Sequence, residues 1–203
     1  MEIPEQHRST VRQLYRLWLL VPLLLFWNFI ACFSLLLSHA SGVTTAATDF
    51  GGSITNFFLI GIASFYLWYR PVYNAFMKES SFYFYMFFIF GGFHFLFSIY
   101  MMIGIPGSGS GGLINMISMY SDSNLHYISG TLCLIDSLLW SIMTIFMGIL
   151  WKKVQRHFSA SGMTVDQARN EVVTGVATSQ MGKHVGKAVI GSYIKSGTAG
   201  EFV

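Results

Sequence analysis

Long apolar runs without charge, separated by short polar segments, set the pattern of this chain. Residues 17–37 are 21 positions with no charged side chain, enough for about 31 Å of helix at 1.5 Å per residue. A signal peptide is the competing reading, since Ser38-His39-Ala40 resembles a cleavage site. The apolar part of such a peptide runs to only about 7–15 residues, so this stretch is read as a retained span. Further spans are predicted at 51–69, 82–103 and 130–151, the third with Gly91-Gly92 near its middle. That pair is a place for a kink or for close approach of another backbone.

The segments between the runs are short. Residues 38–50 read as a loop with one charge, Asp49, and 104–112 as irregular, being rich in Gly, Ser and Pro. In 113–126, Leu113, Ile117 and Tyr120 share a helical face opposite Asn115, Ser118 and Asp122, which predicts a short interfacial helix. Past the fourth run, Thr164 followed by Gln167 forms a capping-box pattern. Val165, Ala168, Val172 and Val176 then line one face, so an amphipathic helix is expected over about 164–179. Beyond it, Lys183, Lys187 and Lys195 alternate with small residues, and Glu201-Phe202-Val203 faintly resembles a PDZ ligand. The expected architecture is an all-α integral membrane protein with an N-terminal segment 1–16, a four-span domain 17–151 and a tail 152–203.

Composition agrees. The chain is 53% hydrophobic and 10% charged, where a soluble domain averages about 25% charged residues. All 12 Lys and Arg lie in 1–16, 70–78 or 152–195. Four spans place those segments on one side, which the positive-inside rule makes cytosolic, with both termini inside. Cys32 and Cys133 fall within apolar runs and read as packing residues. No metal-ligand spacing, phosphate-cradling loop or nucleophile–base pair is present, so no cofactor, metal, nucleic acid or enzymatic activity is expected.

Two groups of residues remain as functional candidates. Within the spans, Asn28 and His94 sit about 13–14 Å from the non-basic end of their helices, and Asn56 and Asp136 about 8–9 Å. Polar groups at such depth are costly and mark either a solute or proton path or an interhelical hydrogen-bond set. On the path reading His94 and Asp136 exchange a proton; the bonding reading is favoured. The second group is Trp68-Tyr69-Arg70-Pro71-Val72-Tyr73-Asn74-Ala75-Phe76-Met77-Lys78, between spans two and three. Pro71 is expected to stop the helix arriving from Ile54 and begin a hairpin turn. Trp68, Tyr69, Tyr73 and Phe76 are expected to insert at the headgroup level, with Arg70 and Lys78 reaching phosphates.

The string Trp-Tyr-Arg-Pro-Val-Tyr-x-Ala-Phe resembles the central cytosolic segment of the secretory carrier membrane proteins. Glu2-Ile3-Pro4 with Arg12, Tyr15 and Leu17-Trp18 resembles that family's entry into its first span. Ile103-Gly104-Ile105-Pro106-Gly107-x-Gly109 resembles its loop after the third span, and Gln167-Ala168-x-x-Glu171-x-x-Thr174-Gly175-Val176 its tail. The resemblance implies four spans, cytosolic termini and residence in post-Golgi vesicles, recycling endosomes, trans-Golgi network and plasma membrane. It further implies a role in vesicle transport and exocytosis, with membrane lipids (phosphoinositides among them), other trafficking proteins and a second copy of the chain as partners. Two features depart from the family. Residues 1–16 hold no Asn-Pro-Phe repeat, and Asn74 and Met77 stand where the central segment is usually basic. The rival function is a small transporter or channel built on Asn28, Asn56, His94 and Asp136.

Overall fold

The computed structural model describes residues 3–40, 43–122 and 126–178. The signals at Glu2, Lys183, Lys187, Lys195 and Glu201-Phe202-Val203 lie outside the described residues. Helix α1 spans Glu5–Ser38, α2 Ala46–Ser64, α3 Arg70–Lys78, α4 Ser81–Ile103, α5 Leu113–Ser121, α6 Tyr127–Ala160 and α7 Val165–Thr178. A π-helical turn, Phe65–Tyr69, joins α2 to α3. Among the described residues four helical stretches are long and apolar enough to cross a membrane: Glu5–Ser38, Ala46–Lys78, Ser81–Ile103 and Tyr127–Ala160. They alternate in direction. The start of α1, the α3–α4 turn and the end of α6 therefore share one end, here the basic end, and the remaining connections share the loop end.

The helices overrun the apolar windows because their buried stripes do. In α1, Val11 and Leu14 extend the line of Leu17, Val21, Leu24 and Leu25 back toward the N-terminus, and all are buried. That spacing is a helical face, so the polar N-terminal segment folds as the first turns of α1. Arg8 fastens the start, with Nε donating to the Ile3 carbonyl and Nη1 to Glu5 Oε1, both at 3.0 Å. At the other end of the chain α6 continues past Trp151 with Val154 buried, and Lys153 Nζ donates to Gln13 Oε1 at 3.0 Å.

Pro71 does not stop the second span, contrary to the sequence expectation. The helix runs on through the π turn, where the Arg70 N–H bonds the Phe65 carbonyl five residues back. A proline ring collides with the carbonyl four residues before it. Widening the preceding turn moves that carbonyl aside, and Pro71 then occupies the first turn of α3, where a missing N–H costs nothing. The chain reverses later, at Glu79, whose φ of 48° is left-handed. The hairpin connection is thus Glu79-Ser80.

Helix α4 passes through Gly91-Gly92 as continuous helix. A Cβ at Gly91 would lie 3.2 Å from Met147 Cε, and one at Gly92 2.7 Å from Trp151 Cη2. The glycines therefore admit side chains of α6, not another backbone. Between α1, α4 and α6 the core holds Leu14, Val21, Leu25, Phe84, Phe87, Trp140, Met143 and Met147. Leu23, Phe58, Ile62, Phe93, Leu96 and Ile145 are exposed on the outside of the bundle, as spans facing hydrocarbon require.

Candidate functional site

Segment 104–112 is a surface loop only at Ile105, Pro106 and Gly107. Gly109, Ser110, Gly111 and Gly112 are buried, so the chain leaving α4 folds back between the helices at the loop end. Irregular backbone at that depth must find partners within the protein. Asn28, fully buried on α1, supplies two: Nδ2 donates to the Gly109 carbonyl at 2.8 Å, and Oδ1 accepts the Gly111 N–H at 2.9 Å. Asp49 on α2 accepts the Gly109 N–H at 3.0 Å through Oδ1 and the Thr45 hydroxyl at 2.8 Å through Oδ2. Asn56 Nδ2 donates to the Ser108 carbonyl at 3.3 Å. Asn115 Nδ2, on α5, donates to the Ser110 carbonyl at 2.7 Å. The loop and α6 together cap α4, whose last carbonyls would otherwise be orphans: Ser110 Oγ of the loop donates to Met101 O at 2.5 Å, and Ser137 Oγ of α6 to Met102 O at 3.0 Å.

This arrangement explains α5. Asn115 and Met119 face inward while Leu113 and Ile117 are exposed. The polar residue is the buried one because its acceptor is loop backbone.

The four intramembrane candidates therefore divide. Asn28 and Asn56 hold the loop. Asp136 is buried on α6 beside it: a Cβ at Gly111 would lie 3.7 Å from Asp136 Oδ2 and 3.5 Å from Cys133 Sγ. Neither Asp136 oxygen has a hydrogen-bond partner. His94 stacks on Trp68, centroids 5.4 Å apart, and on Phe97 at 6.2 Å, with Nε2 unpartnered. The His94–Asp136 hydrogen bond that a proton exchange would use is not formed, and the expected single polar layer is a loop anchor plus two separate buried groups. Asp136→Asn should accordingly leave the thermal midpoint of the detergent-solubilised protein within about 2 °C of wild type, since it shifts stability by no more than about 0.5 kcal/mol. A large loss of stability would mean that the Asp136 carboxyl makes a contact that the amide cannot replace.

The central segment also differs from its expected role. Trp68, Pro71 and Phe76 are buried, and insertion of Trp68 and Phe76 into lipid is overturned. As part of a helix, 68, 71, 72, 75 and 76 fall on one stripe, and that stripe packs inward. Phe76 meets His7 at 5.2 Å, His157 at 5.2 Å and Phe84 at 5.2 Å. Arg70 and Lys78 are exposed, and Tyr69 and Tyr73 half-exposed. The Arg70 guanidinium lies over the Tyr66 ring at 5.9 Å and Lys78 Nζ over Tyr83 at 5.1 Å. Tyr69 and Tyr73 instead help line a cleft of about 270 Å³ with Arg8, Arg12 and Tyr15 of α1.

Comparison with known proteins decides the family. The model of the SCAMP family matches residues 1–161. The chain belongs to this family. It is 33% identical over 174 residues to Secretory carrier-associated membrane protein 5 of Pongo abelii, covering 86% of this chain and 71% of that protein. Against Secretory carrier-associated membrane protein 5A of Xenopus laevis the identity is also 33%, with the same shares. Against Secretory carrier-associated membrane protein 2 of Homo sapiens it is 30% over 179 residues, 88% of this chain and 53% of that protein. No solved structure matches. Membership gives the coarse assignment, an integral membrane protein of membrane traffic.

Two features of this SCAMP-family chain escaped sequence reasoning. Asp49 read as a loop charge, yet it lies inside α2 and is fully buried. Its signal was present: a lone acid two residues before Gly51-Gly52, facing a second glycine-rich segment. Arg8, Arg12 and Tyr15 were read as charge and entry signals, and nothing in their spacing shows that α1 places them beside Tyr69 and Tyr73.

Proposed function

We propose that this chain acts in post-Golgi vesicle transport and exocytosis as a non-enzymatic component of vesicles, recycling endosomes, the trans-Golgi network and the plasma membrane. Both termini and the α3–α4 turn face the cytosol, and the basic end contacts the cytosolic leaflet. The observation that carries the leaflet contact is the cleft where Arg8 and Arg12 of α1 stand beside Tyr15, Tyr69 and Tyr73, with Arg70 exposed on the adjoining turn. Arg8 is already paired with Glu5 at 3.0 Å, while Arg12 and Arg70 are exposed beside the cleft. Each well-placed cation contributes about 1 kcal/mol of attraction to an anionic leaflet. Cations from α1 thereby offset the absence of basic residues at Asn74 and Met77, and phosphoinositide headgroups are the expected ligands.

A tagged chain should colocalise with endosomal, trans-Golgi and plasma-membrane markers and move between them. Retention in the endoplasmic reticulum of a folded chain would contradict the proposal. In nanodiscs, the purified protein should enrich phosphatidylinositol 4,5-bisphosphate over phosphatidylcholine. Arg12→Gln with Arg70→Gln should lower that enrichment by at least about fivefold, the equivalent of one to two cation contacts. Equal enrichment by the double variant would remove the leaflet contact from the proposal.

A further inference from the structure

The N-terminus of α4 is capped by a residue some 90 positions later. Ser81 and Phe82 open this helix, so their N–H groups have no acceptor within it. Ser80, the N-cap residue, makes no side-chain cap of its own. Both amides are taken by Glu171 of α7: Ser81 N–H donates to Oε1 at 3.0 Å and Phe82 N–H to Oε2 at 3.1 Å. The Ser80 hydroxyl donates to the same carboxylate, and the Ser81 hydroxyl to Gln167 Oε1 at 3.3 Å. A carboxylate in this position answers both the orphan amides and the positive end of the helix dipole.

The apolar surface of α7 is largely uncovered. Among its described side chains Ala168 alone is buried, while Val165, Val172 and Val173 are exposed. Its own N-terminus is closed by the expected capping box, Thr164 N–H to Gln167 Oε1 at 3.1 Å and Gln167 N–H to Thr164 Oγ1 at 3.3 Å. The helix is thus internally complete, and its attachment to the bundle is mostly polar. Between α7, the start of α1 and the α3–α4 turn lies a cavity of about 1280 Å³, lined by residues that include His7, Lys78, Tyr83, His157 and Met163.

We infer that α7 is a detachable strap over this cavity, closed by Glu171 acting as the N-cap of α4 from another helix. Such a latch opens when a second negative charge is placed beside it. An acid at position 80 would cap α4 locally and repel Glu171, freeing α7 without unfolding the span. The inference does not depend on the trafficking reading.

Amide hydrogen exchange on the full chain in nanodiscs tests it. In the wild-type protein the Ser81 and Phe82 amides and those of α7 should be protected together. Glu171→Ala should speed exchange at both places by about tenfold, the scale of a lost cap at a helix N-terminus, with α6 and the interior of α4 unchanged. Glu171→Gln, which keeps one carbonyl oxygen as acceptor and loses the other along with the charge, should fall between. Ser80→Asp should separate the two sites, with α7 exchanging faster while Phe82 stays protected by the new cap. Unprotected α7 in the wild type would overturn the strap, as would α7 protection unchanged in both Glu171→Ala and Ser80→Asp. Loss of protection spreading through α4 and α6 would show a structural support and not a latch.

Discussion

Gly109→Ala should cost about 2–5 kcal/mol and disorganise the loop end of the bundle. Two independent penalties act there. Gly109 has φ of +78°, a conformation that costs a residue with a Cβ about 1–2 kcal/mol. The added methyl would also lie 2.5 Å from the Gly52 carbonyl carbon and 2.8 Å from Gly52 Cα. That neighbour is backbone of α2 and cannot rotate away, so the helix or the loop must move, at a further cost of about 1–3 kcal/mol. Movement of the loop breaks its bonds to Asn28 and Asp49 in the same step. The contrast is Gly51→Ala, one position along α2 from Gly52, where an added Cβ meets nothing within 4 Å and helix propensity predicts a small gain. Thermal unfolding in detergent should separate the two variants widely. Equal midpoints would mean that segment 104–112 does not lie against α2.

Trp68→Ala is the other large effect, and it separates the packed segment from an inserted one. Trp68 is only 1% exposed and stacks on His94, so truncation removes a buried aromatic and leaves a cavity, for about 3–5 kcal/mol. Tyr66, two residues earlier, is 56% exposed, and its replacement by alanine should cost less than about 1 kcal/mol. If these aromatics served mainly to hold the interface, both changes would weaken lipid contact and neither would greatly lower stability. A Trp68→Ala protein as stable as Tyr66→Ala would restore the insertion account.

The parts of the fold that are local were legible in the chain. Uncharged runs of span length located the membrane helices, and Thr164 with Gln167 located the start of α7, because each signal depends on neighbours in sequence. The π turn was hidden, since Pro71 alone predicts a stop and only the widened turn ahead of it lets the helix continue. The glycines of 104–112 announce irregular backbone, but not that this backbone is buried. That outcome depends on Asn28, Asp49, Asn56 and Asn115 converging from three helices, α1, α2 and α5. Asn28 and Asn56 were singled out by their cost in hydrocarbon; their partners are loop backbone and not one another. Glu171 carried no sequence signal as a cap, because the amides it serves belong to a helix some 90 residues earlier.

Asn28, Asp49 and Asn56 anchor a loop in a bundle whose work is traffic, and with His94 and Asp136 they do not form a path. Toward the basic end from Asp136 and His94 the interior is filled by Val21, Phe84, Phe87, Met143, Met147 and Val154, all buried. Purified protein reconstituted into liposomes with an internal pH dye should be subjected to an imposed proton gradient, beside empty liposomes and the Asp136→Asn variant. The same dye response is expected in all three. A proton flux present in the wild-type vesicles and abolished by Asp136→Asn would contradict it and make the chain a transporter.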